Sequence, residues 1–241
     1  MAAKLFPPIK NIFQTIQTLA GQNEKLDITR SFQGLNLKQC VTITKVDDDK
    51  IYLRVSDCQI FTYPDGPIYI QDKRISNPIR GSFHLDNLST GIVVLSELNW
   101  MDRKWKNRTK DRVQPKNTVY IDVEYQNNEI RARLENISTS GMAVLINKSF
   151  NPLIHIDSLR KILLSFTLLP GCEFRSLAGS LVYRQAFGPN LIRLGVRFIP
   201  SFEELNCLKS YISQRKLEIL NELGHFYRDF ETRIEVTNLY F

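Results

Sequence analysis

Short runs in which apolar and polar residues alternate dominate the first part of the chain, from about residue 26 to residue 97. Alternation with a period of two is typical of strands that bury one face. Clusters of Asp, Pro, Gly, Ser and Asn separate these runs, as expected of tight turns. The pattern predicts a small antiparallel barrel or sandwich. Clear examples of the runs are 39–46, 50–55, 67–70 and 91–95.

A second series of strand-like runs follows a polar, charge-dense connection at 98–117. Its members are 119–125, 130–137, 141–146, 179–184 and 194–198. Together the two series predict a mainly β fold with two small antiparallel β-barrels in tandem. The run 87–95 echoes 136–145, with one residue fewer before the glycine. The echo fits a decayed second copy of the barrel and convergent hairpin chemistry equally well.

A helix is predicted at each end of the chain. Near the start, Pro7 and Pro8 open a short helix with Ile12 and Ile16 on its apolar face. The polar face is rich in Asn and Gln, which favours docking on its own domain over membrane attachment. Near the end, the residues 201–204 form a capping box that starts a helix of about thirty residues.

The C-terminal helix carries a broad apolar stripe, which Arg215 and Lys216 interrupt. Such a helix exceeds what one small barrel covers, so part of the stripe is expected to pack on the other domain or on a second subunit in a homodimer. The resulting domain prediction is a helix and barrel at 1–98, a linker at 99–117, a barrel at 118–200 and a helix at 201–231.

Two short motifs carry the candidate chemistry. The first, Arg108-Thr-Lys-Asp-Arg112, sets two guanidiniums four residues apart in the linker. The second, Asn136-Ile-Ser-Thr-Ser-Gly141, stands where one strand-like run gives way to the next. A second Arg-x-x-x-Arg pair, Arg193 and Arg197, lies inside a strand-like run and is interpreted as solvated strand positions. Considered alone, the first pair is best interpreted as part of a solvated, charged linker. The presence of the second motif makes a ligand site the better interpretation.

In this order and at this distance, the motifs at 108–112 and 136–141 resemble the signature motifs of the PilZ domain, a bacterial receptor module for cyclic di-GMP. The resemblance covers about residues 105–200. It implies that Arg108 and Arg112 bind phosphates and the Hoogsteen edges of guanine, because a planar guanidinium donates paired hydrogen bonds and also stacks on base faces. It further implies that Asn136 reads a guanine edge and that Ser138 adds a hydroxyl.

The same resemblance implies that Gly141, lacking a Cβ, lets the backbone turn or approach the ligand closely. Two positions depart from the family pattern. Many members carry aspartate at the position of Asn136, so the charge-assisted bond to guanine is lost here. Several carry a further arginine at the position of Asn107, which bears on whether a second ligand molecule binds.

Composition narrows the function classes. The chain has 241 residues, 43% of them hydrophobic, and a net charge of +7, which suits an anionic ligand, a nucleic acid or an acidic partner. The four cysteines are scattered and read as small buried hydrophobes or loose thiols in a reducing cytoplasm. No histidine or cysteine spacing indicates a metal, no cofactor is implied, and no apolar run resembles a signal peptide or a membrane span.

The predicted function is therefore a cytoplasmic cyclic di-GMP receptor, not an enzyme, with a layout that resembles the flagellar brake proteins. Ligand binding would switch the domain arrangement and signal to a protein partner. Two alternatives remain at this point. One is a cyclic di-GMP-responsive transcription regulator that binds DNA, although no base-reading motif is visible. The other is a ligand-independent nucleic-acid-binding barrel.

Overall fold

The computed structural model describes residues 10–21, 25–63, 66–75, 77–87, 90–101, 110–125, 128–149 and 161–238. Within these residues the chain is mainly β, with two closed six-stranded antiparallel barrels and two helices, as predicted. The short helix α1 spans Lys10–Ala20 and buries Ile12, Ile16 and Leu19. Neither described helix combines the length and the hydropathy that a membrane span requires.

The first barrel closes in the order β1-β2-β3-β6-β5-β4. Its strands are β1 (Lys25–Phe32), β2 (Leu35–Val46), β3 (Ile51–Arg54), β4 (Ile68–Ile70), β5 (Ile79–Asn87) and β6 (Ile92–Trp100). Alternate residues enter a core of branched aliphatic side chains, because successive side chains of a strand point to opposite faces. Ile28, Ile51, Leu53 and Leu95 are all fully buried there.

A buried arginine lies in this first barrel. The guanidinium of Arg30 sits 3.8 Å from the ring centroid of Tyr63 and 3.9 Å from that of Phe83. It also donates hydrogen bonds to the carbonyl groups of Ile60, Tyr63 and Gly66. Burial raises the pKa of the Tyr63 hydroxyl to about 12, so this ring stays neutral and stabilises the cation through its π face.

The second barrel closes in the order β10-β11-β12-β9-β8-β7. Its strands are β7 (Tyr120–Tyr125), β8 (Asn128–Ser138), β9 (Gly141–Asn147), β10 (Lys161–Leu169), β11 (Cys172–Phe187) and β12 (Leu191–Phe198). Exposed and buried residues alternate strictly along β7. Strand β10 was not among the predicted runs, because its sequence is almost continuously apolar and shows little alternation.

Both barrels share one connectivity. Each consists of two three-stranded meanders in which the first strands pair with each other, β1 with β4 and β7 with β10. The last strands pair likewise, β3 with β6 and β9 with β12. The echo noted in the sequence falls between β5 and β6 in one barrel and between β8 and β9 in the other. If the second barrel were a direct tandem copy of the first, the echo would lie between β2 and β3, which correspond to β8 and β9. The position of the echo therefore does not favour simple duplication.

The long helix α2 spans Phe202–Asn238, 37 residues or about 55 Å, and extends beyond the predicted end at residue 231. Its capping box forms as predicted: the Ser201 N–H donates to the Glu204 carboxylate at 2.7 Å, and the Glu204 N–H donates to Ser201 Oγ at 3.3 Å. Leu208, Ile219 and Leu223 of the apolar stripe are buried.

The chain divides into two compact units. The first comprises the described residues up to Phe32, those from Asn36 to Met101, and α2 from Ile219 onward. The second comprises the described residues Lys110–Glu218 together with the turn Gln33–Leu35.

Two of the four cysteines form a disulfide bond, which corrects the expectation that all four are small buried hydrophobes or loose thiols. Cys172 at the start of β11 and Cys207 in α2 are bonded, with their Cα atoms 5.8 Å apart. This distance lies within the range that disulfides require. The sequence could not reveal the pairing, since 35 residues separate the two positions and only the packing of α2 on the barrel brings them together. Cys40 and Cys58 are not disulfide-bonded.

We expect the change Cys207→Ser to lower the free energy of unfolding of the oxidised protein by about 2–4 kcal/mol, because the cross-link restricts the unfolded chain. Urea unfolding followed by circular dichroism measures this loss. Cys40→Ser, at an exposed free thiol, is the matched control and should change nothing. Equal stabilities for both variants, with no cross-linked peptide in non-reducing mass spectrometry, would contradict the bond.

Candidate functional site

The turn between β8 and β9 contains the second motif and is held by its own serine. The Ser138 hydroxyl donates to the Gly141 carbonyl at 2.9 Å and lies 3.5 Å from the Ser140 N–H, which donates to it. Ser138 is only 3% exposed. Its hydroxyl hydrogen is therefore used within the turn, and the residue contributes to the site mainly by fixing the backbone there.

Gly141 is required by a neighbouring strand. A Cβ at this position would lie 2.6 Å from the carbonyl oxygen of Val196, well inside contact distance. Arg197 pairs with Gly141 across the β9–β12 ladder, and the Phe198 N–H donates to the Ser140 carbonyl at 3.1 Å. The glycine thus lets the turn lie directly against β12, which brings Arg197 to the second motif.

The segment that follows the first motif joins the barrel next to the same turn. Val113 and Ile137 exchange both backbone hydrogen bonds at 3.0 Å, and Val113 is fully buried. Since Ile137 immediately precedes Ser138, the bridge anchors Arg112 beside the turn. Arg112 itself is half-buried.

A cavity of about 240 Å³ opens at this junction. Arg112 of the first motif and Ser138 and Gly141 of the second all line it, so the structure brings together three of the five predicted site residues. The full lining is Arg112, Ser138, Ser140, Gly141, Met142, Val182, Tyr183, Gly195, Val196 and Arg197. Among these described residues there are two guanidiniums and no carboxylate, which makes the cavity suited to an anion.

The sequence interpretation missed an aromatic platform in this cavity. Tyr183 on β11 pairs with Gly195 on β12, and its ring lies so close that a Cβ on Gly195 would be 2.0 Å from a ring carbon. The ring remains 37% exposed. A signal was present, because a glycine inside a strand often marks the close approach of another group. The cavity therefore has a partly exposed aromatic side chain in its wall.

The second Arg-x-x-x-Arg pair is not the solvated strand pair that was expected. Arg197 is exposed, but it lines the cavity. Arg193 forms a half-buried ion pair with Glu135 and lies 4.4 Å from the ring centroid of Phe187. The strand alternation alone could not reveal these roles, because the partners come from β8 and β11.

Asn136 stands apart from the cavity lining. The β8–β9 pairing shifts register between Leu134 and Asn136, as a β-bulge does, and this redirects both Glu135 and Asn136. The Asn136 side-chain oxygen is buried, and within the described residues it has no hydrogen-bond partner. Arg108 and Asn107 lie outside the described residues. Among the described residues, no group of three His, Cys, Asp or Glu side chains could hold a metal ion.

Comparisons with known proteins give one family match and several similar solved structures. The model of the PilZ domain family matches residues 106–214. Among curated proteins, none matches the chain. A solved structure of YcgR in complex with c-di-GMP from Escherichia coli is similar at 14% identity, covering 89% of this chain and 93% of that chain with a TM-score of 0.46.

Two further solved structures are similar to this chain. The K. pneumonia MrkH–c-di-GMP complex shares 14% identity over 88% of this chain and 95% of that chain, with a TM-score of 0.44. The Bacillus subtilis inhibitor of motility MotI/DgrA shares 12% identity over 81% of this chain and 97% of that chain, with a TM-score of 0.41. The family match at 106–214 spans the second barrel and the first part of α2, and this part of the chain is similar to the PilZ domain.

Proposed function

We propose that this chain is a receptor that binds cyclic di-GMP in the cavity between the β8–β9 turn and β12. One observation carries the proposal: a single cavity joins Arg112 of the first motif to the Ser138–Gly141 turn of the second. The bridge between Val113 and Ile137 holds these two parts together. The motifs lie apart in the sequence, so their meeting in one cavity supports a shared ligand.

The charges of the cavity suit the two phosphates and two guanines of this ligand. Arg112 and Arg197 offer planar, forked donors that match phosphate oxygens or the guanine O6 and N7 acceptors. A lysine in either position would supply charge without the fork. We propose that Arg108, four residues before Arg112 in the sequence, adds a third guanidinium from the linker, as the family resemblance implies.

Tyr183 supplies the component that the charged residues lack. A flat ring beside two cations is suited to a guanine face, and base–aromatic stacking contributes roughly 1–3 kcal/mol per base. Gly195 leaves room for the ring to lie against β12. We therefore propose that one guanine of the ligand stacks on Tyr183 while a phosphate of the ligand faces Arg112 or Arg197.

The residues of the second motif have distinct proposed roles. Ser138 and Gly141 shape the turn so that its backbone forms one wall of the cavity. Asn136 offers a buried side-chain oxygen that, within the described residues, is unpaired, and we propose that it contacts a guanine edge after local rearrangement. An unpaired buried acceptor is costly, which favours a ligand donor at this position.

The proposed role is signalling, not catalysis. Binding would draw the linker towards the barrel and shift the domain arrangement, and a protein partner would respond to that shift. A ligand can shift such an equilibrium only by its differential affinity for the two states.

We expect cyclic di-GMP to raise the melting temperature of the protein. A ligand at about a hundred times its dissociation constant stabilises the folded state by roughly 2.7 kcal/mol. This corresponds to a shift of a few degrees for a chain of this size. Differential scanning fluorimetry with cyclic di-AMP and a linear dinucleotide as controls measures the shift and its selectivity. A well-folded protein whose melting temperature stays constant at high ligand would refute the receptor function.

We expect Arg108→Ala and Arg112→Ala each to weaken binding about ten-fold or more, because each removes roughly 1–3 kcal/mol of charge-assisted bonding. Arg197→Ala should also weaken binding, since Arg197 lines the same cavity. Calorimetric titration measures each dissociation constant.

Arg175→Ala is the matched control for these variants. It removes the same charge from the same barrel, but Arg175 is 81% exposed, pairs with Glu173 and does not line the cavity. Its affinity should equal that of the unmodified protein. Equal losses at Arg112 and Arg175 would mean that net charge, not the cavity, holds the ligand.

We expect ligand to slow hydrogen exchange in residues 100–114, chiefly ahead of the segment that the Val113–Ile137 bridge already holds, because one molecule would bind both linker arginines and the barrel. Exchange measured by mass spectrometry with and without saturating cyclic di-GMP tests this. Small-angle scattering should show a changed radius of gyration. Identical exchange in both samples would refute the switch even where binding is established.

A further inference from the structure

Two consecutive cations of α2 hold the residues on either side of Arg112. The Lys216 ammonium lies 2.8 Å from the Asp111 carboxylate. The Arg215 Nε donates to the Gln114 carbonyl at 2.9 Å. These are the cations that interrupt the apolar stripe of the helix. Their targets bracket the arginine that enters the cavity.

The two contacts differ in burial. Arg215 has a side-chain exposure of 4%, whereas Lys216 and Asp111 are 44% and 46% exposed. Exposed ion pairs are screened by solvent and contribute little, while a buried charged donor holds its acceptor firmly. Of the two contacts, the one from Arg215 is therefore the effective constraint.

Arg215 belongs to a network that holds Gln114 by both of its backbone groups. The guanidinium of Arg215 also donates to the side-chain oxygen of Gln33 and forms an ion pair with Glu218 at 3.0 Å. The Gln114 N–H in turn donates to the Gln33 carbonyl at 2.8 Å. With the Val113–Ile137 bridge next to it, the backbone from 112 to 114 has little freedom to move.

The turn that carries Gln33 is built to make these contacts. Gln33 has φ of +47° and Gly34 has φ of +82°, the backbone of a tight hairpin turn in which Asn or Gly is favoured at the first position. A left-handed glutamine costs free energy that the surrounding contacts must offset. A Cβ on Gly34 would lie 3.2 Å from the Gln114 nitrogen, so the turn lies directly against this segment.

We propose that Arg215 is a positioning residue of the ligand site: it fixes residues 112–114 so that Arg112 presents its guanidinium to the cavity. The identity of what the cavity binds rests on the proposed function, whereas the positioning of Arg112 does not. Arg215 itself does not line the cavity, so it acts through the backbone that follows Arg112.

Hydrogen exchange of the protein without ligand tests the positioning directly. Arg215→Met removes the donors and keeps the side-chain length. We expect the Gln114 amide to exchange about ten-fold faster in this variant, while the Val196 amide in β12 stays protected and reports an intact barrel. Lys216→Met, which removes the exposed neighbouring contact, is the matched control and should leave both amides unchanged. Unchanged exchange at Gln114 in folded Arg215→Met overturns the proposal whatever the ligand.

A thermodynamic cycle then separates positioning from a general effect on the fold. We expect Arg215→Met to weaken cyclic di-GMP binding about ten-fold in calorimetric titrations, because small misplacements of a binding group are costly. In the Arg112→Ala background the same change should cause no further loss, since the group it positions is gone. Equal losses in both backgrounds would show that Arg215 supports only the fold.

The exchange experiment and the receptor function can fail independently of each other. If the unmodified protein does not bind cyclic di-GMP, the receptor function is refuted, and exchange at Gln114 still decides whether Arg215 fixes the segment. If Arg215→Met does not fold, Arg215→Lys keeps the charge without the fork and should show the same faster exchange in smaller measure.

Discussion

The pair of hydrogen bonds between Val113 and Ile137 is the constraint on which the candidate site depends. It adds one short extended segment to the second barrel at the point where β8 ends. Without it, Arg112 would belong to a linker, and the turn at Ser138 would be an ordinary hairpin. With it, a cation from the linker and a turn from the barrel form one cavity. The network of Arg215 and Gln33 secures the other side of the same short segment.

The cavity also depends on space that two glycines leave on and beside β12. Gly141 lets the β8–β9 turn approach the Val196 carbonyl, and Gly195 lets the Tyr183 ring lie against the strand. In the first case the backbone of a neighbouring strand requires the glycine, and in the second the aromatic ring does. Neither reason is the close ligand approach that the motif suggested for Gly141. The candidate site of this barrel is thus a consequence of how tightly its strands pack.

The candidate site was predictable only where its parts are close in sequence or share a recognisable spacing. Arg112, Ser138 and Gly141 were identified from the two motifs, and the structure brings them together. Tyr183 and Arg197 were missed because each stands in a strand where its residue type is unremarkable. Asn136 was correctly placed at the end of β8, but it does not line the cavity, and the register shift beside it is a feature that a two-residue period does not predict.

Local periodicity and end signals determined the class of the fold, namely two barrels, a short first helix and a capped last helix, because these depend on neighbours within a few residues. The ring order of the strands was decided by tertiary structure, since β9 meets β12 and β7 meets β10 only when the barrel closes. The same holds for the disulfide of Cys172 and for Arg215, which contacts Gln114 across 101 residues of sequence. Contacts over such separations leave no periodic trace in the sequence, because their free energy depends on burial that exists only after folding.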